Sequence, residues 1–401
     1  MTFDSNTHPC PRNEKRLLMS EHWPALPEEE RGVLRIVDLF SGCGGMTLGA
    51  ALAAIERGVR PEVRLASETE EIPRNIYSKN LGQFTLTNNR GGANERIVGT
   101  PVQELFDGRL DGRVITATER RTKWLVGPID LLVAGPPCQG HSNLNNYTRR
   151  NDPRNDLYTR VARAAAVLRP TVVIIENVGA IVHDCRGVLE STRELLLSQG
   201  YQVGGGVQLR LRSLGVPQDR RRHFLIAGLA SQVDPLAIER RLTEAALAVR
   251  TVAWAIRDLE CGADPQGSGG FDAPPRPSAE NRRRIQWLFE NRSYRLPNSE
   301  RPACHRVDGH RYRSIYGRLT WGAAAQTITT GFGSMGQGCY VHPSRRRTIT
   351  PHEAARLQTF PDFFSFGATN KRRWWARVIG NAVPPYAMKR VVEAVLPALK
   401  T

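Results

Sequence analysis

The chain has no apolar run approaching the roughly 20 residues a bilayer core requires. Its longest, such as Thr171–Val178, are far shorter, so a membrane span is not expected. The first residues, Met1 to Arg31, contain no apolar signal-peptide core; they are polar and carry Pro9, Pro11, Pro24 and Pro27. Residues 1–32 therefore read as a loosely ordered arm. None of the seven cysteines forms a Cys-x-x-Cys pair. That argues against a disulfide framework and a zinc site, and for a reducing, cytoplasmic setting with no metal. Lysine is scarce: only six of the 56 basic residues. The net charge of +17 would draw the chain to a polyanion, nucleic acid being the commonest. A GC-rich coding bias would produce the same arginine excess, so charge alone decides nothing.

What is present is alternation. Val33–Phe40, Val63–Ser67, Ile129–Ala134, Thr171–Ile175 and His223–Leu229 read as buried strands. Met46–Gly58, Ile72–Asn80, Leu157–Pro170 and Val188–Gly200 read as helices between them. Strands that are apolar throughout, alternating with helices, imply an open α/β domain, a doubly wound and mostly parallel sheet covered on both faces. Ligands of such sheets sit beyond the carboxyl ends of the strands. Residues 33–250 would form this domain. Residues 251–345, rich in Gly, Pro and Arg, would form a smaller irregular one, with a short basic helix near Asn281–Phe289. In 346–401 the periodicity returns. Met388, Val391, Val392, Val395, Leu396 and Leu399 make one stripe, so this segment is expected to pack back on the first domain.

Two constellations bear on chemistry. Asp38-Leu39-Phe40-Ser41-Gly42-Cys43-Gly44-Gly45 is a strand entering a Gly-rich turn and a helix, and Glu68 closes the next strand. Such a turn lets a ligand approach the backbone, and such an acid accepts ribose hydroxyls. The pair points to a nucleoside cofactor; a turn needed only for packing is the bland alternative. No Gly-Lys-Ser/Thr follows, which excludes a P-loop. The second constellation is Gly135-Pro136-Pro137-Cys138-Gln139-Gly140 after a strand, Glu176-Asn177-Val178 ending the next, and Gln218-x-Arg220-x-Arg222. Paired prolines pin the backbone before the thiol, and extended chain would put Gln218, Arg220 and Arg222 on one face. Each alone has an ordinary structural reading; together, at successive strand ends, they suggest a catalytic crevice.

In these segments the chain resembles the cytosine-5 DNA methyltransferase family over about Arg35 to Lys389. Further matches are Arg347-x-Ile349-Thr350, Glu353-Ala354-Ala355-Arg356-Leu357-Gln358, Phe360-Pro361 and Gly380-Asn381-Ala382-Val383-Pro384. The resemblance implies a Rossmann-like methyltransferase fold with 251–345 as target-recognition domain. It implies S-adenosyl-L-methionine as cofactor, held by Phe40, Gly42, Gly44, Glu68, Pro137, Asn381 and Val383. It assigns Cys138 as nucleophile, Glu176 and Arg222 to the cytosine N3 and O2, and Arg220 to a supporting place. Thr69 stands where the family often has an aromatic, and no acid appears near Gly99-Thr100-Pro101.

The chemistry fits the residue types. Carbon 5 of cytosine is a poor nucleophile until a thiolate adds at carbon 6, and the base must leave the duplex to expose its faces. Ser142–Asn155 resembles the family's catalytic loop. Arg311, Arg313, Arg318 and Gln326 are candidates for reading double-stranded DNA. A monomer is expected, with a cognate restriction endonuclease as possible companion. Three alternatives stand beside this reading: the same chemistry on tRNA, a non-catalytic DNA-binding regulator, and a folate-dependent pyrimidine methylase. The last fits neither the Gly-rich turn nor Glu68.

Overall fold

The computed structural model describes residues 11–26, 31–87, 92–137, 156–184, 186–230, 232–245, 247–260, 270–306 and 315–399. The chain divides into two compact units. One comprises Ala25–Gly215, Asp219–Ala248 and Ala382–Thr401, the other Met1–Pro24, Val216–Gln218 and Val249–Asn381. Among the described residues, no helix is long and apolar enough to cross a membrane.

The first unit is built on β1 (Val33–Leu39), β2 (Arg60–Ser67), β3 (Ile97–Val98), β4 (Leu131–Ala134), β5 (Val172–Asn177), β6 (Tyr201–Val203) and β7 (Val207–Arg210). After the two-residue β8 (Gln218–Asp219), β9 (Arg221–Leu229) completes its sheet. The order is β3-β2-β1-β4-β5-β9-β6, with β7 also on β9. Pairs from β3 to β5 are parallel, as expected of the doubly wound α/β class, and those on β9 are antiparallel. β4 and β5 are buried along their whole length, because helices cover both faces. Helix Asp156–Leu168 supplies much of one cover through Tyr158, Val161, Ala165 and Leu168. The Arg163 guanidinium, fully buried, donates to Glu119 Oε1 at 2.7 Å and ties in helix Ala117–Val126.

Helix Pro385–Val395 lies against helix Gly45–Glu56, where a Cβ on Gly49 would come within 2.3 Å of Pro385 O and 2.7 Å of Met388 Cβ. Only glycine permits so close a crossing.

The second unit differs from the expected boundaries. Residues 346–381 belong to it, not to the sheet unit. Polar anchors explain this: Thr348 Oγ1 donates to Gly333 O at 3.2 Å, and Arg356 Nη1 reaches Asp258 at 3.1 Å. The arm also needs correction over its middle. Pro11–Leu18 is a helix whose Lys15 pairs with Asp258 at 2.5 Å and whose Glu14 pairs with Arg250. The apolar centre of the second unit gathers Ile285 and Leu288 of helix Ala279–Glu290 with Leu296, Tyr316, Met335 and Val341.

Candidate active site

Strand β1 ends at Leu39, and the backbone then turns through three left-handed residues in five: Phe40 (φ 58°), Gly42 (φ 54°) and Gly44 (φ 94°). An aromatic residue in that region is strained, and such strain persists where surroundings enforce it. Here Ser41 N donates to Ser67 O at 3.0 Å and Gly44 N to Ser41 O at 2.9 Å, fixing both ends of the turn. The glycines differ in kind. A Cβ on Gly42 would meet nothing within 4 Å, whereas one on Gly44 would lie 2.3 Å from Leu81 Cδ1 and 2.9 Å from Tyr77 Cδ2. Gly42 thus lines open space, and Gly44 lets helix Glu71–Leu81 close on the turn.

Glu68, just beyond β2, accepts from Gly42 N at 2.9 Å through one oxygen and from Glu70 N at 2.8 Å through the other. Burial raises its pKa, opposed by those two N–H groups. Each carboxylate oxygen keeps a lone pair for a hydroxyl. An open glycine beside a half-buried acid is a cradle that fits a nucleoside.

Gly135 follows β4, and a Cβ there would lie 3.7 Å from Met46 Sδ, 3.8 Å from Phe40 O and 4.0 Å from Glu176 Oε2. The turn after β1 and the carboxylate ending β5 therefore face one point beyond the carboxyl ends of three parallel strands. Asn177 Nδ2 donates to Pro136 O at 3.3 Å and steadies the segment leading to Pro137. Cys138 and Ser142–Asn155 lie outside the described residues, as do Arg311 and Arg313.

Strand β9 runs antiparallel to β5, with Glu176 opposite Phe224. Its amino end is thus brought to the carboxyl end of β5, and Arg222, two residues before Phe224, projects on the same side. Arg222 Nε stands 2.8 Å from Glu176 Oε1 as an ion pair, not an aligned hydrogen bond. Both side chains are largely shielded from water. Burial raises the Glu176 pKa, and the Arg222 and Arg220 charges pull against it. Arg220, buried, donates to Ala382 O at 3.2 Å, next to the buried Val383. Gln218 is committed elsewhere: within the second unit it donates to Gln358 Oε1 at 2.9 Å and accepts from Ile328 N at 2.8 Å. Asn381 ends helix Arg372–Asn381 of that unit and is exposed.

A family model described as C-5 cytosine-specific DNA methylase matches residues 111–396, well over half the chain. The chain belongs to that family. Among curated relatives, Type II methyltransferase M1.BsuMI of Bacillus subtilis is 44% identical, covering 88% of this chain and 78% of its own. Type II methylase M.HgiDII of Herpetosiphon aurantiacus is 29% identical over 89% and 93%. Among solved structures, the S. pombe Dnmt2 methyltransferase is similar in fold, with a TM-score of 0.58 at 17% identity over 91% of this chain and 98% of that one. The chain is a DNA (cytosine-5-)-methyltransferase.

Sequence reasoning passed over three residues of this methylase's crevice. Tyr158 is buried on the helix beside β5, and burial with the nearby Glu176 charge raises its pKa. Asn177 was visible only as part of a motif. Asp38, with Thr47 beside it, was visible as the first residue of the Gly-rich motif but was given no role.

Proposed function

We propose that the methylase moves a methyl group from S-adenosyl-L-methionine to carbon 5 of a cytosine flipped out of double-stranded DNA. It would do so within a short specific sequence, through a covalent bond between Cys138 and carbon 6. The observation that carries this reading is the Glu176–Arg222 pair, shielded and 2.8 Å apart, beside the Gly-rich turn. When bound, the cofactor supplies an electrophilic methyl on a sulfonium. Phe40, Gly42, Gly44 and Glu68 would hold it, with Pro137 and Val383 completing its surroundings.

The protein's own groups account for the rest. The Cys138 thiolate adds to carbon 6, forming the sulfur–carbon bond, and the ring's electron pair moves to carbon 5. Charge arriving on the ring is met by a proton held between Glu176 and N3, which the raised Glu176 pKa favours, and by Arg222 donating to O2. Arg220 holds the Ala382 backbone and adds its charge nearby. After methylation the carbon 5 proton leaves to water, and Cys138 is expelled. Residues 251–345 would read the DNA, Arg318 and Gln326 among them. The enzyme would act in the bacterial cytoplasm as a monomer, with a restriction endonuclease of the same specificity as companion.

Cys138→Ala is expected to abolish methylation while DNA is still retained in gel-shift assays. DNA containing 5-fluorocytosine, which has no removable proton at that carbon, should leave a denaturation-resistant protein–DNA adduct. Preparations that methylate ordinary DNA yet form no adduct would overturn the mechanism.

A further inference from the structure

Asp38 is wholly buried in β1, where its sheet neighbours are Ala66 and Val133. Its Oδ2 accepts a hydrogen bond from Thr47 Oγ1 at 2.6 Å, and that hydroxyl accepts one from Tyr77 OH at 3.0 Å. Its Oδ1, equally buried, has no hydrogen-bond partner among the described residues. A buried acid seldom leaves an oxygen unused without a reason. Its place suggests one. Asp38 lies two residues before the left-handed turn of Phe40–Gly44, and Thr47 is in the first turn of the helix that Gly44 caps.

The groups facing it offer no counter-charge. Thr47 lends its hydroxyl and its backbone N–H, which favour the ionised form but carry no full charge; Tyr77, from helix Glu71–Leu81, and the Cys43 thiol are both held protonated by burial. Glu68, at the end of β2, repels it, and the Arg74 guanidinium is engaged with the Glu68 carbonyl at 2.9 Å.

We infer that Asp38 is the charge-matching group of the cofactor site, a buried carboxylate that favours a sulfonium ligand over the neutral thioether left after methyl transfer. This rests on the S-adenosylmethionine reading above. Burial, with a smaller push from Glu68, raises the Asp38 pKa to about 7, so its ionisation is undecided near neutrality. A cation in the turn would favour the ionised form, its proton passing to solvent; a neutral thioether would not. The two forms of the cofactor differ by one methyl and one charge. Comparing them therefore separates charge from shape.

The test is calorimetric titration of the full chain, without DNA, with S-adenosylmethionine and with S-adenosylhomocysteine. In the wild type the ratio of the two affinities should rise severalfold between roughly pH 6 and pH 8. In Asp38→Asn the methyl donor should bind about fivefold or more weakly, the thioether should be little changed, and the ratio should lose its pH dependence. Equal weakening of both ligands would mean that Asp38 serves packing only, and a flat wild-type ratio would also overturn the inference. Should the Asn variant not fold, the wild-type series and Thr47→Val, which keeps the charge and should keep the pH-dependent ratio, decide the matter. A wild type that binds neither ligand would instead remove the cofactor reading on which the inference rests.

Discussion

Arg222 meets Glu176 because one strand of the sheet runs backwards. Were β9 parallel to β5, its amino-terminal arginines would lie at the opposite edge; antiparallel pairing brings Arg222 Nε to 2.8 Å from Glu176 Oε1. The guanidinium both counters a buried carboxylate and stands ready to donate to substrate. Arg222→Met should therefore cut the single-turnover methylation rate about a hundredfold or more, with a smaller change in DNA retention. Because the Glu176 carboxyl, which acts in its protonated form, would rise further without its cation, the alkaline limb of the pH–rate profile should move upward. A variant whose rate and profile both match the wild type would contradict the assigned roles.

The parallel half of the sheet was legible because strands buried on both faces are apolar throughout, and β1, β2, β4 and β5 appear in the sequence close to their observed bounds. Direction was not legible. The apolar pattern of His223–Leu229 marks a strand but carries no sign of which way it runs, so the cause of the Arg222–Glu176 encounter came only with the fold. Helices Ala117–Val126 and Pro235–Glu244 were missed because their faces are polar, although the Thr116–Glu119 capping box and the Asp234 cap announce both. The motif around Asn381 read as continuous, yet the seam between units passes through it. On one side, a Cβ at Gly380 would come within 2.3 Å of Thr330 N; on the other, Ala382 O is taken by Arg220. Asp38 opens the Gly-rich motif in the sequence yet drew no role of its own, because only its burial with an unused oxygen, visible in the fold, sets it apart.

The two glycines of the turn should fail differently. Gly44→Ala combines a left-handed φ of 94° with a Cβ 2.3 Å from Leu81, so it should cost more than about 2 kcal/mol of stability in denaturant unfolding. Gly42→Ala meets only the backbone penalty, roughly 1 kcal/mol, since nothing stands within 4 Å of its Cβ. Its methyl would nonetheless enter the open cradle beside Glu68. Cofactor binding should therefore fall sharply in Gly42→Ala while its melting temperature moves little. Equal melting shifts for the two variants would show that the open space is not a cradle.

The second unit carries a titratable clamp of its own. His352 Nδ1 lies 2.7 Å from Asp272 Oδ1 and Nε2 lies 2.9 Å from Asp362 Oδ1. Burial disfavours the charged ring, but the two carboxylates outweigh it and raise the His352 pKa to about 9. The folded value lies above the unfolded one, so the clamp's contribution is whole below about pH 6.5 and disappears as pH rises through about 9. Its size, on the order of 2–3 kcal/mol, should appear as a fall in unfolding free energy across that window. His352→Gln should remove the dependence, leaving a variant clearly weaker than the wild type near pH 6 and close to it near pH 10. Denaturant titrations at the two pH values decide this. A deficit of the same size at both would show that the imidazole acts by packing against the Phe271 ring, 5.7 Å away, rather than by its charge.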